Sequence, residues 1–498
     1  ERAEVVAPPP PSSDLPADES VRFHISHVTV EHQTERFRFL ERAARPYEGR
    51  ELSLREINEL VTAMNRTLMS RGFSTSRIAV PEQNLSSDEL RLVLLVGYIH
   101  AVRFADGSDT VYWKNLFPFR EGDVLNVRDI EQGIEQAKRL PSQDISVRLL
   151  PADEPQMTDI VLNVKRGRNV YGTISFDDSG LEDTGKLQWY ASLGIDQLFH
   201  KNDMLRIGLN LDSAQDGYEK GTRGHNISYT YPYGRHTFSL SYQRSKYHQT
   251  VASMPYDFIS AGDTNISVLS WDYVLSRSAN RKTSMDIRLR KRNSHRFLND
   301  VELPIQAMHQ TSMEIGLAER LYLKRDTLYF RLAHRFGLGW MGAQEESPYE
   351  DMPRTRYRMW LLDADYVHPF EFSHRPATFT MSFHGQWTMD GMELYGTDMI
   401  SMGNRYTVRG FDGEVTLMGT DGWYLRNEFA TRFPKQKLEV YLGLDVGAVY
   451  GAGADLYNGH TIAGAALGVR GMIDALSYDV FAAMPIRKPD GFHTAKVT

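Results

Sequence analysis

From about residue 168 to its end, the chain alternates between apolar and polar positions at every second residue. Leu205, Ile207, Leu209 and Leu211 alternate with Arg206, Gly208 and Asn210. Phe379, Met381 and Phe383 alternate with Thr380 and Ser382, and Leu328, Phe330 and Leu332 oppose Tyr329, Arg331 and Arg335. A period of two is the signature of a strand with one apolar face. Soluble β-sandwiches alternate as well, so the pattern alone leaves two architectures open. Number and length separate them: about sixteen such segments of roughly ten residues follow in one series, and ten residues is the length of a tilted membrane-crossing strand. Aromatic residues sit near many segment ends, at Trp189-Tyr190, Tyr229 to Tyr233, Trp271, Trp340, Trp360 and Trp423-Tyr424, where a barrel carries its interface girdles. The reading is a transmembrane β-barrel of about sixteen antiparallel strands over residues 168–498. An even-numbered closed barrel leaves no unpaired edge in lipid. Its polar face, with Arg206, Asp286, Arg288, Arg290, Arg331 and Arg335, is expected to line a wet lumen.

Composition removes several other classes. No run approaches the roughly 18 apolar residues of a membrane helix, and mean hydropathy is −0.43, so a helical membrane protein is excluded and a barrel is not. The 498 residues include no cysteine, which rules out zinc-cysteine sites, thiol catalysis and disulfides. Net charge is −7, from 57 basic and 64 acidic residues; without a basic excess, nucleic acid is not an expected partner. HExxH, GxSxG and P-loop patterns are missing from the sequence, so neither a catalytic set, a metal site nor a cofactor is expected. Histidines such as His384 in Phe383-His384-Gly385 read as lumen-lining. The chain starts at Glu1 with neither an initiator Met nor an apolar signal core, and reads as a mature or trimmed sequence.

Residues 1–20, with Pro8 to Pro11 and Pro16, read as an extended linker. Residues 21–98 and 99–167 read as one small α/β unit used twice. In the first, Gly49 precedes Ser53, which forms a capping box with Glu56, and Ile57, Leu60, Val61, Met64 and Leu68 make a helical stripe ending at Gly72. In the second, Gly122 precedes Asn126 by the same four residues, Val127, Ile130, Ile134 and Ala137 follow, and Pro141 stops the helix. Strands are expected at Phe23 to Val30, Arg77 to Val80 and Leu90 to Val96, then at Ile99 to Phe104, Ile145 to Leu150 and Asp159 to Val164. Pattern alone also fits a generic pair of α/β domains.

The segment Leu438 to Gly451 carries a geometric constraint. Leu438, Val440, Leu442, Leu444, Val446 and Ala448 share one face, so Asp445 lies on the other, with Gly443 and Gly447. In a barrel with an apolar lipid face, Asp445 points inward, and the flanking glycines leave room for another element to approach it. Upstream, Val408-Arg409-Gly410-Phe411 and Asp412-Gly413-Glu414 have loop chemistry, and Gly422-Trp423-Tyr424-Leu425-Arg426-Asn427-Glu428 turns abruptly into a strand. On these residues alone, the tetrapeptide could be a plain turn and Asp445 a solvated lumen residue.

Together, the loop tetrapeptide, the Gly-Trp-Tyr strand, the Gly443-Leu444-Asp445-Val446-Gly447 stretch and Arg487-Lys488-Pro489-Asp490-Gly491-Phe492 resemble the two-partner secretion transporters (TpsB family) of Gram-negative outer membranes. The wording of the loop is closest to the haemolysin-activation and contact-dependent-growth-inhibition branch. The resemblance covers essentially the whole chain from Val21. It implies a protein-exporting pore in the outer membrane, with two polypeptide-transport-associated (POTRA) repeats in the periplasm directly before the barrel. It further implies that the loop around residues 403–420 folds into the lumen, where Val408, Arg409, Gly410 and Phe411 meet Asp445, with Arg409 and Asp445 forming a clasp over Gly443 and Gly447. The implied partner is a large β-helical exoprotein, recognised through its N-terminal secretion domain and moved without ATP by a monomer embedded among outer-membrane lipids and lipopolysaccharide. A barrel-assembly insertase would share the fold, but usually has more POTRA repeats; a passive porin would have none. Two departures stand out: the sequence stops at Thr498 within the expected last strand and without a terminal aromatic residue, and residues 1–20 are too Pro-rich for the plug helix many relatives carry.

Overall fold

The computed structural model describes residues 5–6, 21–31, 34–213, 217–349, 352–389 and 391–498. Most of the expected linker at 1–20 lies outside them, but Val5–Val6 pairs in parallel with Val147 and Arg148.

Two separate apolar cores precede the barrel. The first gathers Ile25, Leu52, Leu90 and Leu92 with the inward stripe of helix α2 (Leu54–Ser70), namely Ile57, Leu60, Val61, Met64 and Leu68. That helix starts as its sequence dictates: Ser53 Oγ accepts from the Glu56 backbone N–H, and the Glu56 carboxylate accepts from the Ser53 N–H at 2.9 Å. The preceding helix α1 (Phe39–Ala44) was not expected from the sequence; six residues give too little periodicity to read, yet Leu40 and Ala44 are buried. The strand expected at Phe23 to Val30 is also divided. Arg22–Ile25 pairs antiparallel with Arg50–Ser53, whereas His27–Glu31 pairs parallel with Glu89–Leu95. The break at Ser26 lets one continuous segment serve two sheets, a tertiary choice that alternation does not record.

The second core packs Ile99, Leu125, Ile145, Val147, Ile160 and Leu162 against helix α3 (Val127–Ala137). Asn126 caps this helix by accepting from the Arg128 N–H at 2.8 Å. Its sheet runs Val5–Val6, Gln143–Pro151, Met157–Arg166, Tyr98–Phe104.

A sixteen-stranded antiparallel sheet follows. Fifteen strands, from Val170–Asp177 to Leu476–Arg487, pair in one path, each with the next along it, and the two-residue strand Val301–Glu302 folds back on Arg281–Leu298. Several strands are longer than the expected ten residues: Phe258–Arg277 has 20 residues and Arg281–Leu298 has 18. At the C-terminus, Thr498 exchanges both backbone hydrogen bonds with Ala483. The outer wall is apolar, with Leu240, Leu269, Leu317, Leu444 and Leu467 exposed, and Trp189, Trp340, Trp360 and Trp387 are exposed near strand ends. No helix among the described residues is long and apolar enough to cross a membrane.

Helix α3 lies against the barrel rim. Gln136 Nε2 donates to the Gly234 carbonyl at 3.2 Å and to Thr237 Oγ1 at 3.1 Å, Arg235 meets Asp129 at 2.6 Å, and Arg277 meets Glu135 at 2.6 Å and Glu131 at 3.6 Å. Lys282 also pairs with Glu135. These contacts mark the 233–236 and 278–281 turns as the end facing the second α/β unit, so the hairpin loops at the other end face away from it. Burial disfavours the Glu135 charge, but Lys282 and Arg277 outweigh it and hold the carboxyl below the usual glutamate range. A depressed folded value stabilises docking above the unfolded value and releases it as pH falls. Spin labels on α3 and the 278–281 turn should therefore stay close at neutral pH and separate in acid. Glu135→Lys should separate them at neutral pH without altering the heat-modifiable mobility of the barrel. An unchanged distance in that variant would mean that the remaining contacts, those of Asp129, Glu131, Gln132 and Gln136, suffice to hold the helix.

Candidate functional site: the lumen loop and its clasp

Arg375–Thr388 rises from the end that faces the N-terminal α/β units, and Asp421–Phe433 returns. The connection between them does not stay outside. It forms a short hairpin, Ile400–Met402 paired with Leu417–Gly419, whose tip carries Val408 to Phe411. One flank is held at Asp398, which accepts from Gln310 Nε2 at 2.7 Å and pairs with Arg292 at 3.4 Å, while its carbonyl accepts from Gln386 at 2.9 Å. These partners stand on the polar faces of their strands, so the loop lies inside the barrel.

The tip is apolar around one charge. Val408 and Phe411 pack with Ile400, Met402, Leu417, Val449, Ile462 and Phe492, and the Phe411 and Phe492 rings meet edge to face at 5.7 Å. Arg409 is 4 % exposed and Asp445 is 3 %. Arg409 Nε donates to Asp445 Oδ2 at 2.7 Å and Nη2 to Oδ1 at 2.8 Å, a bidentate pair, and the Arg409 backbone N–H adds a third bond at 3.0 Å. The remaining donors reach Glu428 Oε2 at 2.7 Å and the Asn427 carbonyl at 3.1 Å. Glu428 is itself shared with Arg470 at 2.8 Å.

Glycine makes this approach possible. A Cβ at Gly443 would fall on the Arg409 guanidinium, one at Gly447 on Met402 Sδ, and one at Gly464 on the Arg409 carbonyl. Gly410 has φ +97°, and a side chain there would overlap the Met484 carbonyl. Glu428, Gly464 and Phe492 were not singled out by sequence reading as site residues. Glu428 and Phe492 lay within the quoted stretches, but only the fold brings them to Arg409 and Phe411; Gly464 sits in an Ala-Gly-Ala run that signals close approach only once its neighbour is known.

The remaining lumen residues fall into two groups. Arg331 donates to Asp286 at 2.8 and 2.6 Å and also pairs with Glu314; Arg335 reaches Glu314 at 2.7 Å, and Arg288 lies 3.4 Å from both acids. Arg331 is only 4 % exposed, so this part of the wall is a neutralised cross-strand network rather than a bare arginine face on water. Glu314, one strand away, supplies the second carboxylate. Arg288 also borders a lumen cavity of about 520 Å³, lined as well by Tyr406 and Arg409 of the loop and by Arg426 of Asp421–Phe433. Arg290 stands on the same inward face as Arg288 and Arg292, and Arg206 is exposed to the lumen at the other side of the barrel. Neither touches the clasp.

Known proteins with this arrangement form a coherent group. Residues 156–471 match the haemolysin secretion/activation protein family ShlB/FhaC/HecB, residues 98–151 a POTRA domain, and residues 23–97 a ShlB-type POTRA domain. The outer membrane transporter CdiB-2 of Burkholderia pseudomallei (strain 1026b) is 38% identical over 469 residues, 93% of this chain and 80% of that protein. Among solved structures, CdiB from Escherichia coli superposes with a TM-score of 0.88 at 25% identity, covering 98% of this chain and 92% of its own. CdiB from Acinetobacter baumannii gives 0.86 at 26%, covering 99% and 93%. Paired POTRA units, a sixteen-stranded outer-membrane sheet and sequence agreement along nearly the whole length lead to one assignment: the chain belongs to the ShlB/FhaC/HecB family of haemolysin secretion and activation proteins.

Proposed function

We propose that this outer-membrane transporter exports one large β-helical exoprotein, a toxin, haemolysin or adhesin of the contact-dependent-inhibition or haemolysin type, in two-partner secretion. The observation that carries this reading is the loop clasped across the lumen by Arg409: a pore that must pass an unfolded chain yet stay closed at rest needs a plug that is firmly held but releasable. The two POTRA units capture the cargo's N-terminal secretion domain. Pairing of Val5–Val6 along Gln143–Pro151 supports strand addition as the mode of capture, since that sheet edge accepts an extended segment. Cargo folding outside the cell supplies the driving force, and no catalytic step is part of this reading.

In the clasp, Arg409 and Asp445 act as a unit. Removing one partner strands a buried charge, at a cost of about 3–5 kcal/mol, whereas removing both leaves nothing uncompensated. Arg409→Ala and Asp445→Ala should each reduce exoprotein secretion at least tenfold with normal barrel insertion. The double variant should lose little more than either alone, and the cycle measures the coupling. Strictly additive losses would separate the two residues and remove the clasp from the mechanism.

Gly443 tests the same contact sterically. Gly443→Leu fills the space of the guanidinium and should lift the loop from the wall, raising single-channel conductance in planar bilayers towards that of a 403–420 deletion. Conductance equal to the parent protein in both variants would mean that the loop does not limit the pore.

A further inference from the structure

The loop that carries the clasp is held on a second flank as well. Residues 178–187 join Val170–Asp177 to Gln188–Asp196, the first hairpin of the barrel. Asp196 accepts from the Ser142 N–H of the second POTRA unit at 3.0 Å, so the 178–187 connection lies at the outer end of the barrel. Its own wall braces it there. The Gly180 N–H donates to the Lys186 carbonyl at 2.9 Å, Thr222 Oγ1 to the Thr184 carbonyl at 2.9 Å, and Gln188 Nε2 to the Gly185 carbonyl at 2.6 Å. A Cβ at Gly185 would overlap Asp212, so the connection sits tight against that strand.

The lumen loop is tied to this brace. Arg405 forms an ion pair with the Asp178 carboxylate and donates from Nη2 to the Asp178 carbonyl at 3.2 Å. The Glu182 N–H donates to Glu414 Oε1 at 2.7 Å, and Leu181 Cδ2 lies 3.7 Å from where a Cβ on Gly413 would stand. Arg405 and Glu414 flank the Val408 to Phe411 tip in sequence. The same short segment is therefore bonded both to Asp445 and to the first hairpin. The two attachments differ in exposure. The side chains of Arg409 and Asp445 are 5% and 0% exposed, those of Arg405 and Asp178 27% and 59%. Parting the first pair strands a buried charge, whereas the second can hand both of its charges to water.

We propose that Arg405 with Asp178, and Glu414 with the Glu182 amide, form a second, outer latch, which positions the lumen loop against the first hairpin and must open for the exoprotein to leave. A chain emerging from the lumen displaces the loop from that hairpin, and the half-exposed pair lets this happen without a bare charge in a dry site. The requirement for export rests on the transport reading; the latch as a determinant of loop position does not.

Two measurements on the full-length protein test it. In planar bilayers, Arg405→Glu and Asp178→Arg should each raise the frequency of channel opening at least threefold. The double reversal should bring it back to within twofold of the parent, since the cycle isolates their coupling. Heat-modifiable mobility checks that each variant is folded. An unchanged trace in both single variants, or strictly additive increases in the double, would overturn the latch. For the second measurement the chain offers a clean background, because it has no cysteine. Glu182→Cys with Glu414→Cys supplies one thiol pair, which a short cleavable bismaleimide bridges in whole cells. Secretion should fall at least tenfold while the bridge is intact and recover when it is cleaved. Secretion undiminished by the bridge would overturn the need for opening. A parent protein that secretes nothing would sink the transport reading alone, and the conductance cycle would still decide the latch.

Discussion

A bilayer offers no hydrogen-bond partner to a peptide group, and every other property of this barrel follows from that constraint. The backbone must satisfy itself through cross-strand pairing, which fixes a continuous antiparallel path from Val170–Asp177 to Leu476–Arg487. Continuous pairing forces side chains to alternate between lipid and lumen, and within the membrane the polar half has nowhere to go but inward. Packed together there, arginines and acids must neutralise one another. Arg331 with Asp286 and Glu314 is the outcome on one wall, and Arg409 with Asp445 and Glu428 on another.

These two networks are chemically alike and mechanically different. The Arg331 cluster joins residues of adjacent strands, so it stiffens a wall that the backbone already holds. The Arg409 cluster joins a strand to a loop with no ladder to the barrel, so its bonds decide where the loop rests. Buried ion pairs are poor sources of net stability, because desolvation offsets most of their attraction, yet losing one partner is costly. That asymmetry suits a latch: it defines one position sharply and can be replaced by any competing set of contacts that satisfies both charges. The edge-to-face contact of Phe411 with Phe492 adds shape to the same position.

Helix α3 shows how the soluble units are tied to the membrane part. One stripe, Ile130, Ile134 and Ala137, enters the POTRA core, while Gln132 and Gln136 on its other side are buried against the barrel turns. A helix covered on both faces ties the position of the POTRA unit to the barrel rim, through polar contacts with Arg235, Arg277 and Lys282.

Local rules were legible in the sequence wherever neighbours along the chain set the structure. The Ser53–Glu56 capping box, the α2 stripe, strand alternation and the inward side of Asp445 each depend on spacing within one element. The resemblance of Val408 to Phe411 and of Gly443 to Gly447 to a known family added the idea of a clasp between them. Contacts between elements were not legible: the division of residues 22–31 between two sheets, the burial of Gln132 and Gln136, the role of Glu314 in neutralising Arg331, and the approach of Gly464 to Arg409. Each depends on which distant segment arrives, and periodicity carries no record of that. Alternation states that a residue leaves the lipid; only the tertiary structure decides what it meets there, because the partner of a buried charge is chosen by the geometry of the folded sheet and not by position along the chain.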